Sequence, residues 1–229
     1  MNYLAHGYRF LDDPQFLAGV SLPDWLSVVN RRVRVSAKRT AAAQAAPPAE
    51  AGEHFLRICD GIQQHHHDDN RFHRCELFML LESRLAKEFR TNMPDPYDHR
   101  PGFLGHIVVE LLLDAYLADQ HSSLLEDYYS ACDLISGESV QHAVNLIASR
   151  TTDRLVWFIE QFREARFLYD YMDNASLLMR INGVLRRVDL EVLEPVNTRV
   201  LGFGRELLSE HAAALLGTQA PSARAELWS

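Results

Sequence analysis

Apolar residues recur at helical spacing along most of the 229-residue chain, and strand-like alternation is nearly absent. The longest alternating run is Arg32-Val33-Arg34-Val35-Ser36. The periodicity predicts helices over 2–11, 14–21, 24–30, 49–69, 74–90, 101–119, 122–135, 138–170, 173–187 and 190–216. Pro23 places a break ahead of Asp24, and Gly137, Asp173-Asn174 and Pro195 mark later boundaries. Residues 31–52 interrupt the pattern: a basic stretch, then an alanine-rich one, then Pro47-Pro48. They read as a mobile excursion with room for one helical turn, and a proline of the pair suits the first turn of the next helix. The expected fold is all-α, a single-domain helical bundle over 1–217, with a frayed tail over 218–229.

Two polar stripes stand out against this background. His65, Asp69 and His73 lie at i, i+4, i+8, and so do His106, Glu110 and Asp114. That spacing keeps side chains on one helix face. Imidazole and carboxylate together bind divalent metals such as Zn, Mn or Fe. The second stripe is the sharper signal, because its helix is apolar nearly all round and should be buried. A buried carboxylate needs a partner or a metal. The plain alternative is that His106 and Glu110 bond each other or a neighbouring arginine. His65, His66 and His67 point in three directions about 100° apart. His65 pairs with Asp69 at i, i+4 and His66 at i, i+3, so spacing does not choose between them.

Composition narrows the function. A net charge of −8 argues against a general nucleic-acid binder, although Arg31, Arg32, Arg34, Lys38 and Arg39 form a local basic cluster. The three cysteines are widely spaced and form no CxxC, which fits a reducing compartment. No signal-peptide pattern opens the chain and no run approaches 18 uninterrupted apolar residues. The expectation is a cytoplasmic protein without a membrane span.

Four segments together resemble the acyl carrier protein phosphodiesterase family, which shares features with HD-like, metal-dependent phosphohydrolases. They are Met1-Asn2-Tyr3-Leu4-Ala5-His6; Gly19-Val20-Ser21-Leu22-Pro23-Asp24; the helix carrying Gly61, Ile62, His65 and Asp69; and the apolar helix with a central His106. Val20 stands where the family has asparagine, and Pro23-Asp24 is closer to an element of zinc-dependent phospholipase C-like helical proteins. The resemblance implies an all-helical HD-like architecture and a divalent metal, manganese first, with zinc or iron as alternatives. It implies hydrolysis of the phosphodiester that joins 4′-phosphopantetheine to a carrier protein. It carries over His6, Asp24, His65, Asp69 and His106 as metal ligands, with Glu110 orienting one of them.

The expected mechanism is metal-assisted phosphodiester hydrolysis. Asp24 and Asp69 bind the ion or orient water. His66 or His73 protonates the leaving oxygen, and Arg71 or Arg74 contacts the phosphate. His106 is expected to meet Asp24, Asp69 and one of His65 and His66 in a single cavity, with His6 nearby. Two rivals are a non-catalytic helical binding or scaffold protein that retains a polar or structural metal site, and a phospholipid-directed hydrolase.

Overall fold

The helical periodicity becomes helices. In the computed structural model, which describes residues 1–95, 98 and 100–217, 75% of the described residues are helical and none is in a strand. The chain forms two compact units. One comprises Met1–Asp69 with Ser123–Phe167, the other Asn70–Ser122 with the residues from Leu168 onward. The tail expected over 218–229 lies outside the described residues.

The first unit opens with a short α1 (Tyr3–Gly7), half the length expected, and α2 (Pro14–Val29). Asp13 caps α2 by accepting from the Phe16 N–H at 3.0 Å, and Pro14 occupies the first turn. The expected break at Pro23 does not occur; the segments 14–21 and 24–30 are one helix. Proline removes one backbone donor. Burial of Leu17, Leu22, Trp25 and Leu26, on both sides of it, keeps the helix continuous.

The segment 31–52 is more structured than its composition suggests. Val33 and Val35 are buried, so the alternation at 32–36 encodes burial without a strand partner. Ser36 caps α3 (Ala37–Ala45), accepting from the Arg39 N–H. The next helix, α4 (Phe55–Phe72), starts six residues later than expected at 49, and neither Pro47 nor Pro48 opens it. Gln63 on α4 donates to the Ala37 carbonyl at 2.9 Å, and His66 donates to the Val35 carbonyl at 2.7 Å. The excursion is thereby fastened to α4.

Gly19 and Gly61 set the crossing of α2 and α4. A Cβ on Gly19 would lie 2.2 Å from the Ile58 carbonyl oxygen, and one on Gly61 2.3 Å from that of Phe16. Only glycine at both positions allows this approach. The unit is completed by α7 (Leu124–Asp133), α8 (Gly137–Ile147) and α9 (Leu155–Ala165). The helix expected over 138–170 is interrupted because α8 side chains satisfy the backbone that follows. Asn145 bonds both the N–H and the carbonyl of Thr152, and Gln141 accepts from the Leu155 N–H.

The second unit holds α5 (Glu76–Thr91), α6 (Arg100–Gln120), α10 (Asn174–Arg187) and α11 (Thr198–Gly217). Residues 190–194, expected to be helical, precede a single 3-10 turn at Pro195–Asn197. Gly105 of α6 lies against the α5 backbone at Glu82 and Ala86, and Gly204 of α11 receives Leu112 and Leu85. By length and composition α6 could cross a membrane, with a mean hydropathy of 1.4, but 67% of that window is buried inside the protein. A core helix passes the same test.

Candidate metal centres

The first cluster lies wholly in the first unit. The α2–α4 crossing brings α4 close to the backbone of Val20, and the His65 Nδ1 lies 2.8 Å from the Val20 carbonyl oxygen. A carbonyl only accepts, so Nδ1 carries the proton and Nε2 is turned toward Asp69, 3.5 Å from Oδ2. On α1, His6 stacks on His65 with ring centroids 4.1 Å apart, and its Nε2 is 3.4 Å from Asp69 Oδ1. One ligand atom from each of His6, His65 and Asp69 lies within 4.8 Å of the other two, so the group could hold a metal ion.

The electrostatics are uneven. Burial, with the neighbouring His65, lowers the His6 pKa to about 3, so its ring is neutral. Its Nδ1 has no hydrogen-bond partner, although the residue is 1% exposed, and Nε2 has only the long approach to Asp69. Burial also opposes a charge on His65, but Asp69 and Asp24 outweigh it and raise the pKa. Burial disfavours the Asp69 carboxylate as well. His6, His65 and the α-amino group of Met1 overcome that and hold it well below the usual carboxylate range. The Met1 amine lies 2.9 Å from Asp69 Oδ1.

The second cluster lies in the second unit. His73 Nε2 donates to Glu110 Oε1 at 2.8 Å, and His106 Nε2 lies 3.4 Å from the same oxygen. The two rings stack at 4.9 Å, and His106 Nδ1 is 3.6 Å from Glu82 Oε2. His73, His106 and Glu110 also satisfy the geometry of a possible ion site. All three are half-buried. The Glu110 bond and the Glu82 charge raise the His106 pKa.

The expected residues therefore sort into two groups. His6, His65 and Asp69 come together. His106, expected beside Asp69, has its two ring nitrogens directed at Glu110 and Glu82. Glu110 shares that second group as a possible direct ligand, beyond the orienting role expected of it. His73 is not on the helix that carries Asp69; α4 ends at Phe72. His66, the alternative to His65, is tied to Val35 and stays outside the first cluster. Asp24 lies inside α2 and acts on His65 through its charge. Arg71 and Arg74 are exposed, and Asp114 is buried on α6. Glu82, the Val20 carbonyl and the Met1 amine were not foreseen; only tertiary packing brings them in, and no spacing signals it.

Comparison of the chain with protein-family models, curated proteins and solved structures finds no match.

Proposed function

We propose that the protein is a metal-dependent phosphodiesterase whose ion is held by His6, His65 and Asp69. The observation that carries this is His6, a neutral, buried imidazole stacked on His65, with Nδ1 unpartnered and Nε2 at 3.4 Å from an ionised carboxylate. Leaving such a ring unsatisfied costs about 1–3 kcal/mol, and neutral imidazole is the ligand form of histidine. The donor set of two imidazoles and one carboxylate suits zinc, iron or manganese. The resemblance to the acyl carrier protein phosphodiesterase family favours manganese and a carrier-protein phosphodiester.

A divalent ion there supplies a Lewis acid for a phosphoryl oxygen and lowers the pKa of water. The chain's own residues do the rest. The Val20 carbonyl fixes the tautomer and ring plane of His65, as an outer-shell acceptor does for a ligating histidine. Asp69 contributes negative charge, and Asp24, close enough to act on His65, orients water. The test is elemental analysis of the purified protein with an assay of bis-p-nitrophenyl phosphate hydrolysis under added Mn²⁺. Bound metal, and hydrolysis lost in a folded Asp69→Ala protein, are expected.

One observation favours a second reading. The Met1 amine at 2.9 Å already offsets the Asp69 charge, as in a metal-free polar network within a non-catalytic helical binding protein. A wild-type protein that takes up no divalent ion selects this reading.

A further inference from the structure

Residues 25–49 carry five basic side chains and no acidic one, in a chain whose net charge is −8. Part of this stretch shapes a cavity of about 270 Å³ in the first unit. Its wall combines Arg31 and Arg34 with the apolar side chains of Pro23, Leu26 and Val35, and with His66. The ring of His66 lies 5.6 Å from that of His65, so this wall adjoins the first cluster. The cavity also has a fixed frame. Val33 and Val35 are buried, and the Val35 carbonyl is bonded to His66. The His66 Nε2–H is committed to that carbonyl. The charge of the wall is supplied by the arginines.

We propose that this cavity binds an organic phosphate: the phosphoryl group against Arg31 and Arg34, the carbon part against Pro23, Leu26 and Val35. Guanidinium matches phosphate geometry. A mostly apolar wall with a few convergent polar groups is typical of small-molecule sites, and the volume stands near their lower bound. A free inorganic anion leaves the apolar wall unused, whereas a phosphate ester with an aromatic or alkyl body uses both halves. The role of this cavity as the substrate subsite rests on the phosphodiesterase reading. Its ligand chemistry does not.

The test is calorimetric titration of chelator-treated protein, so that a phosphate bound by metal makes no contribution. The probes are 1-naphthyl phosphate, inorganic phosphate and 1-naphthol. Naphthyl phosphate is expected to bind more tightly than either fragment. The exposed pair Arg31→Gln/Arg34→Gln should weaken it roughly tenfold or more, with Arg31→Lys/Arg34→Lys between the two. Ser27, exposed and on the cavity wall, gives an independent check, because Ser27→Trp fills the space without altering charge and should abolish binding. No saturable binding of naphthyl phosphate, or binding that survives both the glutamine pair and Ser27→Trp, overturns the proposal. A result positive here with no hydrolysis under Mn²⁺ upholds the cavity and removes only the phosphodiesterase reading.

Discussion

The Nδ1 of His65 donates to the carbonyl oxygen of Val20 at 2.8 Å, and that single bond decides which nitrogen faces Asp69. It ties the candidate centre on α4 to the backbone of α2. Removing the ring should therefore act on both metal uptake and the helix contact. His65→Ala is expected to lower divalent-metal affinity by roughly 100-fold or more, the loss of a ligand exceeding the 10–100-fold cost of losing an outer-shell partner. His66→Ala, one residue on, should keep the metal because its ring serves Val35. Metal content after dialysis against a graded chelator series checks both.

The helix contact itself depends on Gly19 and Gly61. A methyl group at either position meets carbonyl oxygen and backbone at under 3 Å, and backbone cannot rotate away. Gly19→Ala or Gly61→Ala should cost about 1–3 kcal/mol by overpacking. That corresponds to a Tm lowered by about 2–12 °C for a chain of this size. Metal affinity should fall as well, because any separation of the helices lengthens the His65–Val20 bond. Gly52, with nothing near a built Cβ, is the control: Gly52→Ala should change neither quantity.

Each candidate centre should answer to its own ligands. His106→Ala should lower metal uptake at the His73–Glu110 group, and His6→Ala should lower it at the His6–His65–Asp69 group. Elemental analysis of the two variants beside the wild-type protein checks this, and a variant that keeps the full wild-type metal content contradicts it.

Buried titratable groups predict a stability optimum bounded on both sides. The folded His6 ring takes a proton only near pH 3, against 6.5 for an ordinary histidine. Between those values the unfolded chain binds a proton that the folded chain refuses, so stability falls as the pH drops through this window. Asp69, held below its usual range, acts in the same direction below about 3.8. On the alkaline side, burial pushes the Cys59 and Cys132 thiols up to about 12 from 9.0. The unfolded chain ionises them first, so stability falls again above about pH 9. Thermal unfolding of chelator-treated protein across pH should show both limbs. At about pH 8, Cys75 should react with iodoacetamide before the two buried thiols do.

The extent to which this was legible in the sequence follows the range of the interactions. Helical periodicity is local, so the all-α fold could be read directly. The continuity of α2 through Pro23 could not, because it rests on residues buried by other helices. The split of 138–170 depends on Asn145 and Gln141 reaching across a turn, which periodicity does not report. His65 and Asp69 share one helix and were readable as a pair. His6 needed the motif at the start of the chain. The partners of His106 were half readable: Glu110 is one turn away, whereas Glu82 comes from α5.

Asp68 and Asp69 are neighbours with opposite environments, and that contrast yields the sharpest test of the first centre. Burial raises the Asp68 pKa; Gln64 donates to its Oδ1 at 2.8 Å, and its Oδ2 has no hydrogen-bond partner. Its ionised form is thus poorly compensated, and a neutral isostere removes that cost. Asp69 sits beside two imidazoles and an ammonium, and its charge is what they meet. Asp68→Asn should leave Tm unchanged or raise it by a few degrees, with metal content and phosphodiester hydrolysis intact. Asp69→Asn should lower Tm, since Asn carries no charge for His65 and the Met1 amine, and should abolish metal uptake at the first centre together with hydrolysis. If the two substitutions behaved alike in metal analysis, Asp69 would not be a ligand and the first centre would have to be sought elsewhere.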